Sequence, residues 1–270
     1  MIFIIILLGL YVWRIEPRWV RWNKIDMPIQ HLPEGLINKK LVQISDIHIG
    51  ETVNEDYIIN QFKQVNKLKP DIVVYTGDFI SPINIDQAPF EQLERTLQHA
   101  AKGQLATIAI LGNHDYGILG RNAARADSVV QILKNHGIRV LRNENVKIKG
   151  LNIIGIDDCW GTNFYPLKAM RQFKDSLANI VLVHNPDVCD IDIWKGYNSW
   201  ILSGHTHGGQ VRFPFQKASR LPVENKNYDE GLKKLSNDRT LYINKGLGHS
   251  IRVRLNVRPE IAIFTLKKKG

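Results

Sequence analysis

The stretch WILSGHTHGGQVRFP, residues 200–214, decides how this chain is read. An apolar run of strand length (Trp200, Ile201, Leu202) leads into a turn with two imidazoles, His205 and His207, and then a glycine pair, Gly208 and Gly209. Two readings are open from the stretch alone. It is a polar loop that contains histidine, or it is one side of a metal site. The choice depends on what the other strands end in.

Seven further apolar runs have similar length: KLVQIS (40–45), DIVVYTG (71–77), LATIAILG (105–112), LNIIGI (151–156), NIVLVH (179–184), LYINKG (241–246) and EIAIFTL (260–266). Several are continuous rather than alternating, which predicts strands buried on both faces. Three helical patterns lie between them. Ile58, Phe62 and Val65 share one face of 55–68, and Phe90, Leu93, Leu97 and Ala101 share one of 88–101. Val129, Ile132 and Leu133 do the same in 122–135. Such stripes predict amphipathic helices packed on a sheet. Strand alternating with helix predicts a largely βαβ, α/β organisation. Residues 212–231 carry no such period and predict a long loop.

Most of these strands end in residues able to hold a metal. Asp46 and His48 follow the first, Asp78 the second, and Asn113, His114 and Asp115 the third; His184 closes another, and His205 and His207 follow the opening stretch. Ligands of open α/β sheets collect outside the carboxyl ends of strands, so short loops there would gather these side chains on one rim. Each signal has an ordinary alternative. The Asp46 and His48 spacing puts both groups on one side of an extended segment, but D-x-H also arises by chance. Asp78 suits a bridging carboxylate, and equally a helix cap or a turn. Asn113 offers a neutral carbonyl oxygen. His114 beside it points elsewhere and suits proton transfer, with Asp115 placed to hold its other ring nitrogen and set the tautomer. The alternative there is a hydrogen-bonded Asn-His-Asp turn. His184 alone reads equally as a satisfied core histidine. Asp157 and Asp158 read as supporting groups or turn residues, and His249 as a non-ligand.

Taken together, Asp46, His48, Asp78, Asn113, His184, His205 and His207 are two carboxylates, one amide and four imidazoles. That is more than one ion needs once water is counted, and it fits two ions sharing Asp78. Mixed nitrogen and oxygen donors without thiolate predict two divalent ions, Mn²⁺ first with Fe or Zn as alternatives, rather than Ca²⁺ or Cu(I). Two ions about 3.5–4 Å apart serve in-line displacement at phosphorus.

Composition bounds the rest. A chain of 270 residues can bury one large core. Its net charge of +10, from 36 basic and 26 acidic residues, favours anionic partners. Cys159 and Cys189 are too few for a disulfide framework or a thiolate zinc site. No helix-turn-helix or stacking-platform signature is present, so a nucleic-acid partner is not expected.

The N-terminus opens with MIFIIILLGLYVW, 13 residues without a charge. A spanning helix needs roughly 20. Arg14, Arg18, Arg21 and Lys24 follow, interleaved with Trp13, Trp19 and Trp22, the mixture found at membrane interfaces. This predicts a short membrane anchor and interface segment over 1–24, with the domain on the cytoplasmic side by the positive-inside rule. Pro28 and Pro33 predict an extended connector over 25–39, leaving 40–270 as the domain. An unusually apolar first strand, or a start site lacking upstream residues, is the alternative.

The motifs SDIHIG (45–50), GDFIS (77–81), GNHD (112–115), HNPD (184–187) and GHTHGGQ (204–210), in this order at strand ends, resemble the calcineurin-like metallophosphoesterases from about residue 40 onward. Glu16-Pro17 and Gly246-Leu247-Gly248 extend the likeness to a bacterial subgroup of membrane-associated or exported phosphodiesterases. The resemblance implies a four-layer αββα sandwich, two mixed sheets flanked by helices, with metals at one rim. It implies that Asp46, His48 and His207 hold the first ion, that Asn113, His184 and His205 hold the second, and that Asp78 bridges them. His114 would contact the phosphate and protonate the leaving group. One departure is Ser81, where many relatives carry an acid. The implied activity is a dimetal phosphodiesterase or pyrophosphohydrolase at the membrane, acting on a phosphodiester or lipid-linked pyrophosphate. UDP-2,3-diacylglucosamine, in lipid A synthesis, is the specific substrate it suggests. A broad-specificity phosphodiesterase of the cell envelope is the alternative, and a non-catalytic scaffold of the same fold a further one.

Overall fold

All eight apolar runs become strands. The computed structural model describes residues 2–50, 52–81, 88–218 and 220–270. Helix α1 (Ile2–Leu10) continues through two short turns to strand β1 (Arg21–Ile29). Then β2 (Lys40–Ile44), α2 (Glu55–Lys67), β3 (Ile72–Thr76), α3 (Ala88–Leu97), β4 (Ala106–Ile110), α4 (Ala123–Asn135) and β5 (Arg139–Val140) alternate. The second half runs β6 (Glu144–Ile148), β7 (Leu151–Gly155), α5 (Pro166–Met170), β8 (Ala178–Leu182), β9 (Trp200–Ser203), β10 (Gly231–Lys234), β11 (Thr240–Ile243) and β12 (Glu260–Lys268). The side chains of Asn54 and Asn122 cap α2 and α4 by accepting the N–H of Tyr57 and Arg125.

These strands form two mixed six-stranded sheets, in the orders β1-β12-β2-β3-β4-β5 and β10-β11-β9-β8-β7-β6. Side chains that alternate along each strand show how the sheets are layered. In β3, Val73 and Tyr75 join the core under α2, α3 and α4, while Ile72 and Val74 join a second core. Ile180 and Leu182 of β8 and Trp200 and Leu202 of β9 enter that same second core from the other sheet. Val181 and Ile201 point the opposite way, to a third core that includes Ala169 of α5 and Trp194. The sheets therefore pack face to face, with helices flanking them. Strands buried on both faces explain why the apolar runs are continuous.

The N-terminal region departs from the sequence reading. Residues 21–29, divided there between the interface segment and the connector, form β1, paired in parallel with β12 from Arg21↔Glu260 to Ile29↔Lys268. Only Met27 and Ile29 of β1 are buried. An edge strand needs only that, and it tolerates Pro28 because its outer side requires no donors. The short β5 and β6 also escaped the sequence pattern, since each contributes a single buried residue. Helix α1 has nine residues, with Phe3, Ile4, Ile5 and Ile6 exposed. At 1.5 Å per residue it covers about 14 Å, and among the described residues no helix is long and apolar enough to cross a membrane.

Candidate metal centre

Each predicted site residue lies just past the carboxyl end of a strand: Asp46 and His48 after β2, Asp78 after β3, Asn113 and His114 after β4, His184 after β8, His205 and His207 after β9. The chain bends sharply to aim them. Asp46, His48, Asp78, His205 and His207 all have φ between +46° and +71°. A side chain in that left-handed region costs about 1–2 kcal/mol per residue, and such strain collects at functional sites. Close packing joins the loops. A Cβ at Gly204 would strike Ser45 Oγ and the Asp46 carboxylate, so only glycine lets the β9 loop settle there. The His205 N–H then donates to Asp46 Oδ1 at 3.1 Å.

Among the described residues donor atoms meet in three trios, each with its ligand atoms within 4.8 Å of one another: Asp46, His48 and His207; Asp78, His184 and His205; and His48, Asp78 and His114. Asp78 Oδ2 sits between the first two, 3.5 Å from His48 Nε2 and 3.2 Å from His184 Nε2. His207 Nε2 lies 3.4 Å from Asp46 Oδ1 and 2.9 Å from His48 Nε2. Asn113 Oδ1 lies 3.2 Å from His184 Nε2. The two histidines of GHTHGGQ thus face different trios. Thr206 between them holds the turn, accepting the Gly208 N–H and donating to the Asp229 carbonyl.

The donor chemistry fits cations. His184 Nδ1 donates to the Thr76 carbonyl at 2.7 Å, and His205 Nε2 to the Pro222 carbonyl at 2.8 Å. Each ring, when neutral, then turns a lone pair inward, from His184 Nε2 and His205 Nδ1, which are 3.3 Å apart. Asp78 and Asn113 oxygens surround the same space. Acceptors meet acceptors there, and a positive ion resolves the conflict. The electrostatics agree. Burial pulls His48 and His205 down to about 3, so both rings stay neutral and able to ligate. Burial also opposes charge on His184 and Asp78, but their mutual attraction, with further carboxylates and histidines around them, outweighs it. His184 is held well above the usual imidazole range and Asp78 well below the usual carboxylate range. The field that draws a proton to His184 Nε2 draws a metal ion there too.

His114 stands apart, with its side chain about a quarter exposed and Nε2 3.8 Å from Asp78 Oδ2. Its backbone N–H donates to Asp78 Oδ1 at 2.9 Å. Asp115 does not do what its spacing suggested. Its carboxylate accepts the backbone N–H groups of Gly112, Asp78, Phe79 and Ile80, not the His114 ring. It lies on the inner side of a tight turn, where it is fully buried and spans from the β4 loop to the β3 loop. Asp115 is therefore a positioning residue for Asp78. Asp157 likewise supports the surroundings, binding Tyr116 Oη and Arg142 Nε. His249 donates to the Thr52 carbonyl and joins none of the trios.

A cleft of ≈ 830 Å³ opens over His114, His205 and His207. Ile118, Leu119, Trp160 and Ile251 line it with large exposed apolar side chains. Arg121 and Arg220 add positive charge to its wall.

The chain belongs to the calcineurin-like phosphoesterase family, whose sequence model matches residues 39–209. Fold and family together define it as a metallophosphoesterase, a hydrolase of phosphoesters. Among its relatives, a metallophosphoesterase of Aquifex aeolicus is 31% identical over 99% of both chains. The metallophosphoesterase YkuE of Bacillus subtilis is 29% identical, covering 95% of this chain and 89% of its own. The UDP-2,3-diacylglucosamine pyrophosphatase LpxG of Chlamydia muridarum is 28% identical, covering 94% and 92%.

Proposed function

We propose that this chain is a dimetal hydrolase of amphipathic phosphodiesters or pyrophosphates presented at a membrane surface. The observation that carries the reading is the apolar cleft opening directly over the imidazole and carboxylate trios. Asp46, His48 and His207 would hold one ion, Asn113, His184 and His205 the other, and Asp78 both. Two divalent ions in such a site, Mn²⁺ being the first candidate, supply charge stabilisation for phosphoryl oxygens and a water nucleophile of lowered pKa.

The chain's own groups do the remaining work. His114, reachable from the cleft, donates a proton to the leaving oxygen. Arg121 and Arg220 draw the anionic substrate in, and the apolar wall takes its hydrocarbon part. Helix α1, Trp13, Trp19 and the basic residues around them suit attachment to an anionic lipid surface, with the catalytic domain on the cytoplasmic side. Relatives named LpxG favour a UDP-linked diacyl sugar as substrate.

A substrate panel tests this. The purified full chain with Mn²⁺ should cleave UDP-2,3-diacylglucosamine in mixed micelles well above its rate on UDP-N-acetylglucosamine. Equal rates with and without the acyl chains would refute the lipid reading and leave a phosphoesterase of broad specificity.

A further inference from the structure

Two sequence features play no part in the chemistry above: the Glu16-Pro17 pair and Gly246-Leu247-Gly248. The fold joins them. Glu16 lies one turn past the apolar N-terminal helix, yet it is fully buried. Its Oε1 accepts the Val257 N–H at 2.8 Å. Nearby, the Arg254 N–H donates to the Val12 carbonyl at 3.0 Å. The Arg254 side chain is also fully buried, and its guanidinium donates to the carbonyls of Gly248, Lys245 and Val257 at 2.6, 2.9 and 3.0 Å. The same group lies 3.5 Å from His207 Nδ1. Two cations of this loop cap the segment's indoles, Arg252 at 5.1 Å from Trp13 and Arg258 at 3.9 Å from Trp19.

The loop that Arg254 gathers touches the Asp46 and His207 half of the metal centre directly. Leu247 N–H donates to the Ser45 carbonyl at 2.9 Å and Gly248 N–H to the Asp46 carbonyl at 2.7 Å. Gly246, at φ +75°, is so close that a Cβ would lie 2.8 Å from Asp46 Cβ and 3.0 Å from His207 Nδ1. His184 and His205 are fixed instead by the Thr76 and Pro222 carbonyls.

We propose that the N-terminal segment is a working part of one metal site. Glu16 and Arg254 are positioning residues that press the 246–248 loop onto Asp46 and His207. Docking of residues 12–19 thereby sets the affinity of the Asp46, His48 and His207 site and leaves the Asp78, His184 and His205 site unchanged. This rests on the two-ion reading of the centre.

The test is a Mn²⁺ titration of the full chain in detergent, followed by metal content and by electron paramagnetic resonance, which separates a coupled pair from a single ion. Wild type should bind two ions. Glu16→Ala should bind one as before and the other about 10-fold more weakly, the low end of the range for losing a group that supports a ligand, because Glu16 acts through Val257 and the loop. Glu16→Gln keeps an oxygen for the Val257 N–H and should return close to wild type. A chain lacking residues 1–9 keeps Val12 and Glu16 and should still bind two. If Glu16→Ala does not fold, Glu16→Asp, one methylene shorter, gives the same comparison. Two ions bound to Glu16→Ala as tightly as to wild type, or both weakened equally, would overturn the coupling alone. One ion per wild-type chain would overturn the two-ion reading with it.

Discussion

The Asp115 carboxylate holds the turn that presents Asp78: Oδ2 accepts the N–H groups of Asp78 at 3.1 Å and Gly112 at 2.9 Å, and Oδ1 accepts that of Phe79 at 2.8 Å. Substituting Asp115→Ala strands these buried donors, each worth about 1–3 kcal/mol when left unmade. We expect a stability loss of about 3 kcal/mol or more in urea denaturation, together with reduced metal content. A variant as stable as wild type would contradict the positioning role and return Asp115 to partnership with His114.

Asp78 and His114 should separate ligation from proton transfer. Asp78 Oδ2 is shared by two trios, so Asp78→Ala should lose bound metal and hydrolysis together. His114→Ala should retain two ions while its rate falls by about 10²–10⁴, the usual worth of general acid–base help. The rate should recover in part with substrates whose leaving group is acidic enough to depart without a proton. Metal loss from His114→Ala would assign that ring to ligation.

The cleft wall makes a selective claim. Leu119 is largely exposed at its edge. Replacing it by Glu should depress kcat/KM for an acylated substrate by about tenfold, the loss of one well-buried apolar contact plus desolvation of a charge. Hydrolysis of bis(p-nitrophenyl) phosphate, which has no chain to seat there, should change little. Equal losses on both substrates would remove the wall from substrate recognition.

Asp158 supplies a pH signature. Burial raises its carboxyl from 3.8 to about 7, so the folded chain holds a proton there that the unfolded chain releases. Its contribution therefore favours folding at low pH and is lost as pH rises from about 4 through 7. In EDTA, Asp158→Asn should be more stable than wild type at pH 8, with the advantage shrinking toward pH 4. An advantage that instead grew on acidification would reverse the assigned direction.

Much of this architecture was legible because two constraints repeat in the sequence. Strands buried on both faces wrote themselves as unbroken apolar runs, and loops at their carboxyl ends carried the candidate ligand residues. GHTHGGQ put two imidazoles at one strand end, and the residues closing the other strands pointed to a metal site rather than a polar loop. What stayed hidden was long-range or backbone-directed. Asp115 sits beside His114 in sequence, but the tight turn at 112–116 buries its carboxylate against backbone N–H groups that no side-chain pattern reveals. Strand β1 buries only Met27 and Ile29, so its nine residues looked like interface and connector. No sequence pattern marks Arg254, and its burial follows from the meeting of residues 12–16 with 245–257.

Two ions sharing Asp78 are expected to work together in this centre. Metal-free chain should therefore be titrated with Mn²⁺ while hydrolysis of bis(p-nitrophenyl) phosphate and metal content are followed in the same samples. Two ions per chain are expected, with hydrolysis rising mainly as the second binds. Full activity with one ion per chain, or two bound ions and no hydrolysis, would contradict it.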